Sequence, residues 1–284
     1  MITISNVSQS LTLGRILSTA NAQMQATQLR LATGLRINSG KDDPAGLSIA
    51  IRTQAQIRGY ESAKSNSQYA QGMVDTVSSS VGMINDKFAE IKDLAIKARG
   101  AAGAEEKEIY ATQAKQIYDS ALGIQTTTML NFGAPTNVAQ AKASTKTFQI
   151  GPNADASSKM DVKLFGWVME ANTLGTTDFD FSSDTNIEGL ITKCDNVMYG
   201  NLMQQQGYLG GVSNILESNT DLIDINVVNL TASYERIMGA DIAKETANLT
   251  KYEIIAQSAA ALLTQSQKFT ANIALSLIIG ARTY

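Results

Sequence analysis

Leu13-Gly14-Arg15-Ile16-Leu17-Ser18-Thr19-Ala20-Asn21-Ala22-Gln23-Met24-Gln25-Ala26-Thr27-Gln28-Leu29-Arg30-Leu31 decides the fold class. Leu13, Leu17, Ala20, Met24 and Leu31 fall on one heptad seam, with Thr27 filling the gap. Near the other end, Ile255, Ala259, Leu262, Phe269 and Ile273 repeat the pattern, with Ser266 in the gap. Neither stripe can be left in water, so each needs a partner helix. A stripe at each terminus predicts that the two ends pair with each other, with copies of themselves, or both. Such a chain is built for contacts rather than for chemistry.

Working inward, helix follows helix. The first runs from about Val7 to Leu35 and stops near Gly34. Arg36 to Pro44 is rich in turn formers and charge, and Asp43 followed by Pro44 is a helix start. A very long helix then reaches about Arg99, with an unbroken heptad at Val74, Val77, Val81, Ile84, Phe88, Ile91, Ala95 and Ala98. Gly59, Gly72 and Gly82 weaken it, and Gly72 is the place for a kink. A shorter helix opens with Glu105 and Glu106, and its inner face is Tyr110, Ala114, Ile117, Ala121 and Ile124. It is expected to dissolve into Thr126-Thr127-Thr128 and Asn131-Phe132-Gly133.

The middle changes period. Thr147 to Gly151 and Met160 to Leu164 alternate apolar with polar around a turn-rich link, which reads as a β-hairpin. Past Trp167 the chain turns polar, and Thr176 to Asp184 reads as an exposed loop. Helix resumes near Ile187, and a stripe runs from Leu209 through Leu216, Ile223, Val227, Leu230, Tyr234 and Ile237. The last helix follows Met238-Gly239. The fold class is mainly α: a long antiparallel helical bundle or coiled coil with a small β-hairpin, its N- and C-terminal helices paired.

Composition fits that class and narrows function. Aromatic content of 6% with one Trp suits helix bundles, and only 3 prolines interrupt the chain. There is no histidine, which removes the commonest general acid–base residue and zinc ligand. Cys194 stands alone, so it forms no internal disulfide and has no histidine to activate it. It reads as a small, partly buried apolar residue on a helix. Net charge is −3 with no basic block, so no nucleic-acid partner is expected. The start lacks a signal-peptide pattern, and Ile273 to Ala281 is too short to span a bilayer, so no membrane role is expected. No cofactor, metal site or catalytic residue is expected, and the chain reads as no enzyme.

Leu31-Ala32-Thr33-Gly34-Leu35-Arg36-Ile37-Asn38-Ser39-Gly40-Lys41-Asp42-Asp43-Pro44-Ala45-Gly46 closely resembles bacterial flagellin. The resemblance continues at Phe148-Gln149-Ile150-Gly151 and at Tyr208-Leu209-Gly210-Gly211-Val212. It returns at Arg236-Ile237, at Ala240-Asp241-Ile242-Ala243 with Glu245, at Leu249-Thr250-Lys251 and at Ile254-Ile255-Ala256-Gln257. Several motifs in family order over nearly the whole chain make it specific.

What the resemblance implies is a structural subunit that self-assembles through its terminal helices into a flagellar filament for motility. Residues 1–43 and 249–284 would form the terminal coiled coil of the filament core. Residues 44–166 and 185–248 would form a helical rod with the hairpin, and 167–184 a short surface loop in place of the family's outer variable domains. Leu13, Leu17, Met24, Leu31, Ile255, Leu262, Phe269 and Ile273 would make the self-assembly core. Arg36, Asn38, Asp42 and Asp43 would make the joint between shells. Partners would be copies of itself, an export chaperone, and junction and cap proteins. The place would be an extracellular filament reached without a cleaved signal peptide, with a periplasmic filament left open. Glu90, Lys92, Leu94 and Ile96 resemble a surface by which an innate immune receptor recognises many flagellins, with Glu90 where recognised relatives carry a basic residue. The competing readings are a hook–filament junction protein and, from another class, a membrane-active amphipathic helical protein.

Overall fold

The computed structural model describes residues 2–132, 145–164, 174 and 176–280, with side chains from residue 8 onward except at a few positions. The elements are α1 (Ile2–Thr33), α2 (Pro44–Gly100), α3 (Ala104–Asn131), β1 (Lys146–Gln149), β2 (Lys159–Val162), α4 (Asp184–Val197), α5 (Met203–Met238) and α6 (Ile242–Gly280). A turn of π-helix, Met198–Leu202, joins α4 to α5. Contacts divide the chain into two compact units: residues up to Ala55 with those from Asn229 on, and Gln56–Val228.

The first unit holds the terminal helices. α1 and α6 run antiparallel, since Ser10 meets Ser266 near one end and Arg30 meets Glu245 near the other. A small core of Ile37, Ala50 and Met238 lies beside them, with Leu35, Leu47, Tyr234 and Ile237 packed on it. Helix boundaries follow their local chemistry. Gly34 takes φ +68°, a left-handed conformation that stops α1 at little cost for glycine. Asp43 caps α2 by accepting the Gly46 N–H at 2.9 Å.

The second unit has one continuous core. The α2 stripe Val74, Val77, Val81, Ile84, Phe88, Ile91, Ala95 and Ala98 is fully buried, as its heptad predicts. It meets Ala114, Tyr118 and Ala121 of α3, Ile187, Leu190 and Cys194 of α4, and Leu209, Val212 and Leu216 of α5. α2 stays helical through Gly59, Gly72 and Gly82. Cys194 is wholly rather than partly buried.

Two expectations fail here. α3 does not dissolve at its threonines but continues to Asn131. Each hydroxyl turns back onto the carbonyl four residues earlier, Thr126 to Leu122, Thr127 to Gly123 and Thr128 to Ile124. Thr128 and Met129 are also buried, and that burial outweighs the weak helix propensity of threonine. The stretch Thr176 to Asp184 is not simply an exposed loop. Phe179 and Phe181 are buried in the core, and the Phe179 ring lies 5.6 Å from that of Tyr118. Polar neighbours hid two aromatic anchors. Residues 165–173 and 175, including Trp167, lie outside the described residues, as do 133–144.

The hairpin is antiparallel, with Lys146 opposite Val162 and Gln149 opposite Lys159. Two short strands are marginal alone, and this pair is tied down by its neighbours. Asn219 of α5 donates to Ser67 Oγ and to the Ile150 carbonyl, both at 3.1 Å. Asn66 of α2 donates to the Gln149 carbonyl at 3.1 Å. Gln205 donates to the Lys163 carbonyl, and the Lys163 N–H donates to Tyr208 Oη.

Candidate assembly surface

α1 and α6 share a narrow seam. Ala20, Thr27, Glu245 and Ala259 are buried in it, and Leu13, Leu17, Met24, Leu31, Tyr252, Ile255 and Leu263 are half-buried. Thr27 keeps its hydroxyl satisfied on the Gln23 carbonyl, 2.9 Å away. Beside the seam an open groove of about 720 Å³ is lined by Leu11, Gly14, Ser18, Leu263 and Ala271, among others.

Of the eight residues named for the self-assembly core, five sit in the seam within the single chain: Leu13, Leu17, Met24, Leu31 and Ile255. Leu262 and Phe269 do not. They are 53% and 58% exposed, and the seam passes instead through Ala259, Leu263, Ser266 and Thr270. Ile273 is in α6, but its side chain lies outside the described ones. The physical reason is the period. A straight helix drifts by about 20° per heptad from a strict 3.5-residue repeat, so a stripe read as heptads need not stay against one partner. Exposed apolar side chains remain on both helices: Leu11, Ile16 and Leu29 on α1, and Ile254, Leu262, Phe269 and Leu275 on α6.

The joint residues come together. The Arg36 N–H donates to the Met238 carbonyl at 2.6 Å, and its guanidinium donates to the Ile237 carbonyl at 2.7 Å. The Ala240 N–H donates to the Gly34 carbonyl at 2.9 Å, and Leu35 bridges to Gly239 in antiparallel fashion. Asp42 gathers the turn, accepting from the N–H groups of Asn38 and Ser39 and from the Ser39 hydroxyl. These donors, Asn38 first, hold its carboxyl below the usual carboxylate range. Asn38 donates its amide to the Leu35 carbonyl. Gly46 is required by close approach, because a Cβ there would stand 2.8 Å from Ile37 Cδ1 and closer still to the Asp43 carboxylate.

The receptor-type residues lie on α2. Glu90 is exposed and paired with Lys87, and Lys92 is paired with Asp195 of α4 at 2.6 Å. Leu94 is half-buried and Ile96 is 52% exposed. Ile91 and Ala95 between them belong to the core.

Three features escaped the sequence reading. The Arg30–Glu245 and Ser10–Ser266 contacts join residues more than 200 positions apart, and nothing local announces them. The π turn after Val197 has only Gly200 as a local hint. Among the described residues no cluster of His, Cys, Asp and Glu could hold a metal ion, and no helix is long and apolar enough to cross a membrane.

Comparison with known proteins is specific. Residues 4–132 match the bacterial flagellin N-terminal helical region, and residues 191–277 match the bacterial flagellin C-terminal helical region. Over 300 aligned positions the chain is 31% identical to a flagellin of Bacillus subtilis (strain 168), covering 94% of this chain and 97% of that one. The chain belongs to the bacterial flagellin family. It is also 26% identical to a flagellin of Halalkalibacterium halodurans, across 87% of this chain and 89% of the relative. It is 28% identical to the flagellar filament 33 kDa core protein of Treponema phagedenis, across 93% and 95%. Flagellins are structural proteins that polymerise into flagellar filaments, so the role is structural and not enzymatic. The interval between the two matched regions holds the hairpin and α4's first turns.

Proposed function

We propose that the outward faces of α1 and α6 are the surfaces by which this subunit joins its neighbours in a flagellar filament that serves motility. The observation that carries the reading is the exposure of Leu11, Ile16, Leu29, Ile254, Leu262, Phe269 and Leu275 on the terminal pair. Apolar side chains gathered on two paired helices call for cover that one subunit cannot supply. Neighbouring copies supply it in a helical polymer, where unlike surfaces on one subunit meet head to tail without closing.

Residues 1–43 and 249–284 then form the filament core, and 44–166 with 185–248 the surrounding rod. Residues 167–184 stand in place of outer domains, which makes a thin, plain filament. Arg36, Asn38, Asp42 and Asp43 form the joint between these shells. The remaining partners are an export chaperone and junction and cap proteins, and the filament is extracellular. Glu90, an acid at the receptor-type surface, weakens recognition by the immune receptor through charge mismatch.

The test is electron microscopy after seeding with filament fragments. Full-length chain is expected to extend smooth thin filaments, and a version lacking residues 1–35 and 253–284 is expected to stay unassembled. A full-length chain that remains monomeric under filament-forming conditions would move a junction role or a membrane role ahead.

A further inference from the structure

Two apolar stripes compete for the inward side of α6. One is Ile255, Ala259, Leu262 and Phe269, and the other is Ile255, Ala259 and Leu263 leading to Ser266 and Thr270. Their centres differ by less than one residue step, which is about 100° in an α-helix. The two are comparably apolar, because Leu249, Tyr252 and Ala256 are half-buried on the side of the second, so apolar area alone does not decide whether Leu262 and Phe269 face inward. The structure turns them out. Something other than apolar area selects the phase.

The polar contacts of the first unit supply it. At the start of α6 the Leu35–Gly239 bridge and the Ala240-to-Gly34 hydrogen bond hold the incoming chain, and Asp241 caps the Lys244 N–H at 3.1 Å. In the next turn Glu245 is only 7% exposed, with Oε1 3.6 Å from Arg30 Nη1. Its Oε2 has no hydrogen-bond partner. A carboxylate buried with so few partners costs stability relative to an apolar side chain, and fixing one arrangement among several is the best-attested use of such a group. At the far end Ser10 Oγ and Ser266 Oγ meet at 2.9 Å, in the same phase.

We propose that the Arg30–Glu245 pair, acting with the joint, sets the rotational phase of α6 against α1, and so keeps Leu262 and Phe269 outward for a second copy of this chain. The role in assembly rests on the polymerisation reading above. The phase itself does not, and it can be measured in unassembled protein.

The reporter is the full chain with Ser10→Cys and Ser266→Cys, whose side-chain oxygens are close enough that thiols there can form a disulfide. Cys194 is buried and does not compete. Diamide oxidation is followed by gel mobility without reductant, and helicity by circular dichroism. The reporter chain is expected to cross-link quickly. Adding Arg30→Met with Glu245→Leu is expected to slow cross-linking severalfold at unchanged helicity. The charge swap Arg30→Glu with Glu245→Arg is expected to restore it. Should the apolar variant lose helicity, the single Glu245→Arg against the swap decides, since only the swap rebuilds the pair. Cross-linking as fast in the apolar variant as in the reporter, no cross-linking in the reporter, or no recovery in the swap would each overturn the proposal. Seeded elongation of the unaltered chain tests the assembly reading separately.

Discussion

At Gly34 the backbone holds φ +68°, where a side chain crowds the following carbonyl. Gly34→Ala is expected to destabilise the first unit by about 1–2 kcal/mol, seen as a lower thermal midpoint by circular dichroism. Gly40→Ala, where a Cβ would meet only Leu47 at 3.9 Å, is the matched control and should change little. Cys194 shows the opposite situation, a side chain whose chemistry burial has silenced. Burial first, and the Asp195 carboxylate second, push its thiol from the ordinary 9.0 up to about 12. The unfolded thiol releases its proton near its ordinary value while the folded one keeps it. Stability from this group is therefore full below about pH 9 and is lost as pH rises toward 12. Denaturant midpoints across that window should fall more steeply for the parent than for Cys194→Ala. The sequence already implied an inert Cys194, because a chain without histidine has no base to activate it. It could not show the degree of burial, which depends on α2, α3 and α5 closing over α4.

At the scale of elements, legibility follows the range of the cause. The α2 stripe from Val74 to Ala98 was readable because one face of one helix carries the whole signal. Gly34, Asp43 and Pro44 punctuate helices through their own backbone chemistry, and they do so where expected. The threonine run of α3 and the aromatic pair Phe179 and Phe181 were misread because partners from other elements decide them. Leu262, named for the self-assembly core, lies outside the α1–α6 seam for a subtler reason: Leu262 and Leu263 are both apolar, and one step of rotation chooses between them. The hairpin was legible as an element, while its attachment was not. Asn219 carries part of that attachment, donating to the Ile150 carbonyl beside β1 and to Ser67 Oγ of α2. Asn219→Ala should cost about 1–3 kcal/mol by leaving buried acceptors unpaired. Amide exchange in Lys146–Gln149 and Lys159–Val162 should accelerate more than exchange in the Val74 to Ala98 stretch of α2. Equal acceleration would mean that Asn219 supports the bundle at large and not the hairpin.

For the molecule as a polymerising subunit, the decisive distinction is between apolar residues that hold its own helices and those that hold neighbours. Leu263 is half-buried in the α1–α6 seam, whereas Leu262 beside it and Phe269 two turns on face outward. Equal charge changes at these positions should therefore fail in different ways. Leu263→Asp places a carboxylate in the half-buried α1–α6 seam, at the groove that Leu11, Gly14 and Ala271 also line, and should lower the helicity of the free chain. Leu262→Asp and Phe269→Asp leave the seam untouched and should keep that helicity. In a filament, though, each would bury an unpaired carboxylate against a neighbour, at a cost of several kcal/mol per subunit contact. Seeded elongation is then expected to be lost for Leu262→Asp and Phe269→Asp while their circular dichroism matches the parent. If both elongate like the parent, the outward face of α6 is not where copies meet, and the groove beside Leu11 and Gly14 becomes the contact to probe next. If both lose helicity together with elongation, Leu262 and Phe269 support the fold of the single chain, and the separation of seam from assembly face does not hold.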